Sequence, residues 1–140
     1  SAADGAARRS ALPTGELLAH GSLIERTVRV GSQALRVGYV EGLATAPSMQ
    51  GRGLGSAVLR RLGEQVLERH ALGVLSTGSH GFYARQGWER WRGRTAVDGP
   101  DGIEWTPDDD DSVMILRTPT SPAIDLNADL VVDWRPGDVW

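Results

Sequence analysis

The 140-residue sequence has no cysteine, and all fifteen of its basic residues are arginine, so it has no lysine either. The first absence excludes a disulfide framework, a thiolate metal site and a cysteine nucleophile, so any thiol chemistry must arrive with a cosubstrate. The second excludes a Walker-type phosphate loop, which needs a lysine; it also suggests a GC-rich coding background. Long apolar runs are missing too. No window approaches the run of about 18 apolar residues that a membrane span needs, and no charged-then-apolar leader is visible. These absences lead to an expectation of a cytoplasmic protein with no membrane partner. The arginines are scattered without interleaved aromatics and the formal net charge is −3, which argues against a nucleic-acid partner.

What is present is ordinary for one globular domain: 40% apolar and 24% charged residues in a length suited to a single core. Charge is unevenly spread. Residues 1–97 carry 13 arginines against 7 acids, whereas residues 98–140 carry 2 against 11. If that division persists in space, one part attracts anions and the other cations; a fold that mixes the two cancels it.

Residues 1–16 are small, polar and aperiodic, with a turn at Pro13-Thr14-Gly15, and read as a flexible segment before a domain over 17–140. Two β-branched runs, 17–30 and 34–45, flank Gly31-Ser32-Gln33 and read as a hairpin with a three-residue loop. Leu54, Val58, Leu62 and Val66 recur every four residues, with Leu59 and Leu67 widening the stripe, so a helix runs from near Leu54 to the His70–Gly73 stop. A short strand over 73–79 and a brief helical stretch at 80–86 follow. Then come a polar Gly/Pro/Asp stretch over 92–111, a strand over 112–117 and a final extended run over 123–134. This order implies an α/β layer on a mixed sheet.

The segment with most chemical content is Gln50-Gly51-Arg52-Gly53-Leu54-Gly55-Ser56, a glycine-rich turn from strand to helix. A helix N-terminus presents unpaired N–H groups and partial positive charge, and glycines let a bulky diphosphate approach the backbone. It is not a dinucleotide fingerprint, because the glycine order and the downstream acid are missing. By itself, such a turn is as readily one that merely requires glycine. About thirty residues on stands Phe82-Tyr83-Ala84-Arg85-Gln86-Gly87-Trp88, after a strand.

Together, Q-x-x-G-x-G opening a helix and F-Y-x-x-x-G-W after the next strand resemble the acetyl-CoA site of the GNAT superfamily of N-acetyltransferases. The resemblance implies a mixed, mostly antiparallel α/β (α+β) sheet with flanking helices. It also implies acetyl-CoA as cosubstrate, no metal, and a homodimer. A diphosphate cradle would form from Gln50, Arg52, Gly53, Gly55 and Ser56. Strand contacts to the cosubstrate would come from Leu43 and Thr45, and Tyr83 would be the general acid; on its own, Tyr83 reads equally as a core tyrosine. The strand and helices with which that fold opens are missing from the sequence.

Three further segments, Gly38-Tyr39-Val40-Glu41-Gly42, Thr106-Pro107-Asp108-Asp109-Asp110 and the final Asp133-Trp134-Arg135-Pro136-Gly137-Asp138-Val139-Trp140, are similar to the aminoglycoside 2'-N-acetyltransferases. This narrower resemblance implies a polycationic aminoglycoside acceptor held by Glu41, Ser76, Asp109, Asp138 and Trp140. Glu41 or the Trp140 carboxylate would be the general base. Residue types alone leave open another amine acceptor (a related aminocyclitol, a polyamine or a cell-wall precursor) and a non-catalytic acyl-CoA or antibiotic-binding module.

Overall fold

The computed structural model describes residues 8–11, 19–45 and 53–140. Strands β2 (Ala19–Val30) and β3 (Gln33–Thr45) form the long central hairpin. Its loop is two residues rather than three: Gln33 pairs with Val30, and the chain reverses over Gly31-Ser32. Gly31 has φ 60, a left-handed conformation that glycine adopts without steric cost.

Helix α1 (Leu54–Arg69) buries Val58, Leu59, Leu62 and Val66, each at most 1% exposed. Leu67 does not join them and is 42% exposed. At about 100° per residue it lies about 140° around the helix from Leu62, off the buried face. The helix stops at His70, which turns extended (φ −128, ψ 155) while its N–H still bonds Val66 O.

The chain continues through β4 (Leu72–Ser76), the single-turn helix α2 (His80–Ala84), β5 (Glu89–Arg90), β6 (Thr95–Gly99), β7 (Gly102–Trp105), a 3-10 turn (Pro107–Asp109), β8 (Val113–Arg117) and β9 (Leu130–Asp133). The polar stretch 92–111 therefore contains a hairpin that composition hides, because every residue of β7 is exposed and its turn is rich in Gly, Pro and Asp. Within the segment read as flexible, Arg8–Ala11 forms β1, antiparallel to residues 20–23 of β2. Main-chain bonding to an open strand edge does not require periodic side chains. The sheet order is β5-β8-β4-β3-β2-β9-β6-β7, with β1 beside β2, and among the described residues only β3–β4 and β6–β9 are parallel.

The sheet divides the interior into two clusters. One contains Val37, Tyr39, Trp91, Ile115, Leu130 and Trp140. The other joins α1 to Leu23, Val40, Leu75, Trp88 and Met114, with Leu43, Leu54, Phe82 and Tyr83 packed against it. Gly38 and Gly73, paired across β3 and β4, let α1 lie close on the sheet. A Cβ on Gly73 would stand 2.9 Å from Trp88 Cη2 and 3.0 Å from a Val66 methyl.

Candidate active site

Strands β3 and β4 are paired only at Gly38–Gly73 and Tyr39–Val74, although β3 runs on to Thr45 and β4 to Ser76. Their outer edges stay laddered, β3 to β2 as far as Thr45 and β4 to β8 as far as Ser76. The two strands therefore part beyond Tyr39 and Val74, leaving facing main-chain edges that a ligand's amides could complete. A bulge adds to this. From Ser22 to His20 β2 advances two positions while β3 advances three, from Glu41 to Ala44, and Gly42 has φ 66. The extra residue flips the alternation: Tyr39 packs on the Trp140 side, whereas Val40 and Leu43 both pack on the α1 side. Gly42 and Leu43 have no register partner on β2.

The N-terminus of α1 suits an anion. Gly53 is left-handed (φ 74, ψ 9), no side chain caps the helix, and its first turn has no acid. Ala57 N–H to Gly53 O, 3.0 Å, is the first helical bond, so Leu54, Gly55 and Ser56 direct their N–H groups out of the helix end. Gln86 Nε2 donates to Ser56 O at 2.8 Å and ties this turn to the segment after α2.

Tyr83, in α2, is half-buried, with edge-to-face contacts to Phe82 and Trp88 at centroid distances of 5.0 and 6.5 Å. Burial pushes its hydroxyl above the usual tyrosine pKa, and a side-chain hydrogen bond with Thr77 partly offsets this. The phenol is thus protonated at neutral pH and able to give up a proton.

On the opposite face the C-terminal segment is held by two arginines. Arg26, 4% exposed, donates from Nε to Asp133 Oδ1 (2.9 Å), from Nη2 to Asp133 O (2.7 Å) and from Nη1 to Val139 O (2.6 Å). Desolvation lowers its pKa, and the Asp133 charge opposes that shift. Arg135 donates from Nη1 to Glu41 Oε2 (2.6 Å) and from Nε to Asp138 O (2.7 Å). Both guanidiniums lie near the Tyr39 ring, at 4.8 and 5.3 Å from its centroid. Burial pushes the Tyr39 hydroxyl up to about 12. Trp140, 8% exposed, donates its indole N–H to Thr106 Oγ1 at 3.0 Å. Asp110 accepts from Thr95 N–H and Oγ1, both at 2.8 Å. Asp109 has a raised pKa, through burial first and then through Asp108, Asp138 and Asp110.

This arrangement has relatives of known class. Residues 7–91 match the model of a family described as "Acetyltransferase (GNAT) domain". The chain belongs to the GNAT acetyltransferase family. It is 39% identical over 131 residues to an aminoglycoside 2'-N-acetyltransferase of Mycolicibacterium fortuitum, covering 90% of this chain and 67% of the relative. The GNAT fold recurs in an Escherichia coli GNAT family N-acetyltransferase (YhbS) solved in complex with CoA, with TM-score 0.58, 15% identity, 89% of this chain and 64% of that one. It recurs again in a GCN5-related N-acetyltransferase from Kribbella flavida, with TM-score 0.54, 21% identity, 59% of this chain and 22% of that one.

Within this GNAT domain, Gly53, Gly55 and Ser56 form the start of α1, whereas Gln50 and Arg52 lie outside the described residues. Leu43 sits in the bulged end of β3, Thr45 ends that strand and Ser76 ends β4. Glu41, Asp109, Asp138 and Trp140 gather around Tyr39 and Arg135, on the other face from Tyr83. Sequence reasoning missed Arg26, Arg135, Thr77 and Gln86. Arg135 stood inside the quoted C-terminal motif, but nothing local signals that it reaches Glu41. Among the described residues there is no cluster of His, Asp or Glu able to hold a metal ion, and no helix is long and apolar enough to cross a membrane.

Proposed function

We propose that this GNAT domain transfers the acetyl group of acetyl-CoA to an amine of a polycationic aminoglycoside, the 2'-amine by similarity to the named relative, and so confers resistance. The observation that carries the reading is the parting of β3 and β4 beside the uncapped start of α1, with Tyr83 on one face and a carboxylate group on the other. The cosubstrate supplies an activated thioester. In this reading the N–H groups of Leu54, Gly55 and Ser56 grip its diphosphate, each bond to a charged oxygen contributing about 1.5–3 kcal/mol. The bulged backbone at Leu43 donates to the carbonyl oxygen as negative charge develops there. Glu41, through water, takes the proton from the attacking amine. As the carbon–nitrogen bond forms and the carbon–sulfur bond breaks, Tyr83 protonates the departing sulfur. Asp109 and Asp138 hold further ammonium groups of the acceptor, and Ser76, at the end of β4, is a further acceptor contact in this reading.

We place the protein in the cytoplasm as a homodimer, and light scattering of the purified chain tests the dimer. The reaction is tested by mass spectrometry of gentamicin, tobramycin and kasugamycin after incubation with acetyl-CoA. A gain of one acetyl group on a single amine supports the reading. CoA binding without transfer to any of them would sink it in favour of another amine acceptor or a binding module.

A further inference from the structure

Arg135 stands in the midst of the acceptor residues named above. Its Nη1 lies 2.6 Å from Glu41 Oε2, its Nε bonds Asp138 O at 2.7 Å, and its guanidinium is 5.3 Å from the Tyr39 ring centroid. A carboxylate, a carbonyl and an aromatic face around one cation make the surroundings that a ligand ammonium would also take. We infer that Arg135 is a built-in cation in the place of an acceptor ammonium on Glu41, and that it sets a threshold for acceptor binding because a ligand amine must displace it. The inference rests on the acceptor reading proposed above.

Displacement is feasible at Arg135 and not at Arg26. The Arg135 and Glu41 side chains are 26% and 33% exposed, and an ion pair that wet shifts an equilibrium by only about fivefold. Arg26 is 4% exposed and fixed by three short bonds, so no ligand cation replaces it. The Nε bond to Asp138 O keeps Arg135 attached to the C-terminal segment when Nη1 leaves Glu41. A monoamine gains little, since it exchanges one cation for another. A polyamine gains because its other ammonium groups reach Asp109 and Asp138, neither of which is in an ion pair among the described residues. Arg135 therefore sets a threshold that a polyamine clears through its further amines and a monoamine does not.

The test is calorimetric titration of the whole chain, with CoA present, using tobramycin as the polyamine and glucosamine as the monoamine, on wild type, R135Q and R135K. R135Q should bind tobramycin about fivefold more tightly, the factor for one partly exposed pair, while R135K stays near wild type and CoA affinity is unchanged. Glucosamine should become measurable with R135Q. If Arg135 merely braces the C-terminal segment, R135Q and R135K both weaken tobramycin, which overturns the inference. Equal affinities with intact acetyl transfer overturn it alone, whereas CoA binding with no tobramycin binding in any variant overturns the acceptor reading as well. R135M, which keeps the aliphatic stem beside Tyr39, replaces R135Q if thermal melting shows the latter unfolded.

Discussion

In the proposed reaction Tyr83 would meet two demands that oppose each other: a general acid must hold its proton at neutral pH and yet release it at the moment of bond cleavage. Burial secures the first and the Thr77 hydrogen bond, which favours the phenolate, eases the second. Tyr83→Phe should lower kcat by about 10²–10⁴-fold while leaving CoA affinity unchanged, as steady-state kinetics and calorimetry would show; an unaltered kcat removes Tyr83 from the reaction. Because its pKa is raised, the loss of rate at high pH should begin only above the ordinary tyrosine value of about 10. Asp109 presents the opposite trade. Its folded-state pKa is raised, so its contribution favours the fold below the ordinary aspartate value of about 3.9 and is lost as pH rises through the folded value. Asp109→Asn should therefore melt above wild type at pH 7, with the difference vanishing near pH 3. The same variant should bind a cationic acceptor less well.

At the scale of elements, the closeness of α1 to the sheet depends on the Gly38–Gly73 pair. Gly73→Ala places a methyl at 2.9 Å from Trp88 and 3.0 Å from Val66, and overpacking of this kind costs about 1–3 kcal/mol. A lowered denaturant midpoint with an unchanged slope would register it. Helix α1 was legible because its apolar spacing matches the helical period, and the hairpin of β2 and β3 because glycine sits between two β-branched runs. The hairpin of β6 and β7 was not. Its outer strand has no buried face to impose alternation, and β5 is two residues long, too short to carry a pattern. Arg26 was equally illegible, since an arginine on a strand is nearly always solvated. Arg26→Met should cost about 1–3 kcal/mol in chemical denaturation, the penalty for leaving acceptors unmatched, and not more, because Asp133 is 45% exposed and water can rehydrate it.

Over the whole molecule, folding cancels part of the division of charge along the chain. Arg26 pairs with Asp133, Arg29 with Asp98 and Arg94 with Asp129, so arginines of the basic part meet acids of the acidic part. In the proposed acceptor site the carboxylates available to a cation are Asp109 and Asp138, and their attraction should weaken with salt as the screening length shrinks. The last residue is also part of the core, with Trp140 joining the cluster that contains Val37, Tyr39 and Leu130. Deleting Val139 and Trp140 should lower stability by about 3–5 kcal/mol, the range for losing a large buried aromatic, and remove the carbonyl that Arg26 grips. Thermal melting of the shortened chain checks this; an unchanged midpoint would place Trp140 outside the core.

The sequence by itself determined what repeats over a few residues: the buried stripe of α1, the central hairpin, the start of α1 near Leu54 and the position of Tyr83 after a strand. Periodicity and local backbone chemistry act at short range, so they can be read from one segment at a time. Only the tertiary structure decided that β3 and β4 part beyond Tyr39 and Val74, that Gly42 turns Glu41 and Leu43 to opposite faces, and that Trp140 is buried. It alone brought Arg135 onto Glu41, 94 residues away, and Arg26 onto Asp133, 107 residues away. Such contacts depend on the order in which strands lie in the sheet. That order is set by the joint burial of two apolar faces, and no single segment encodes it.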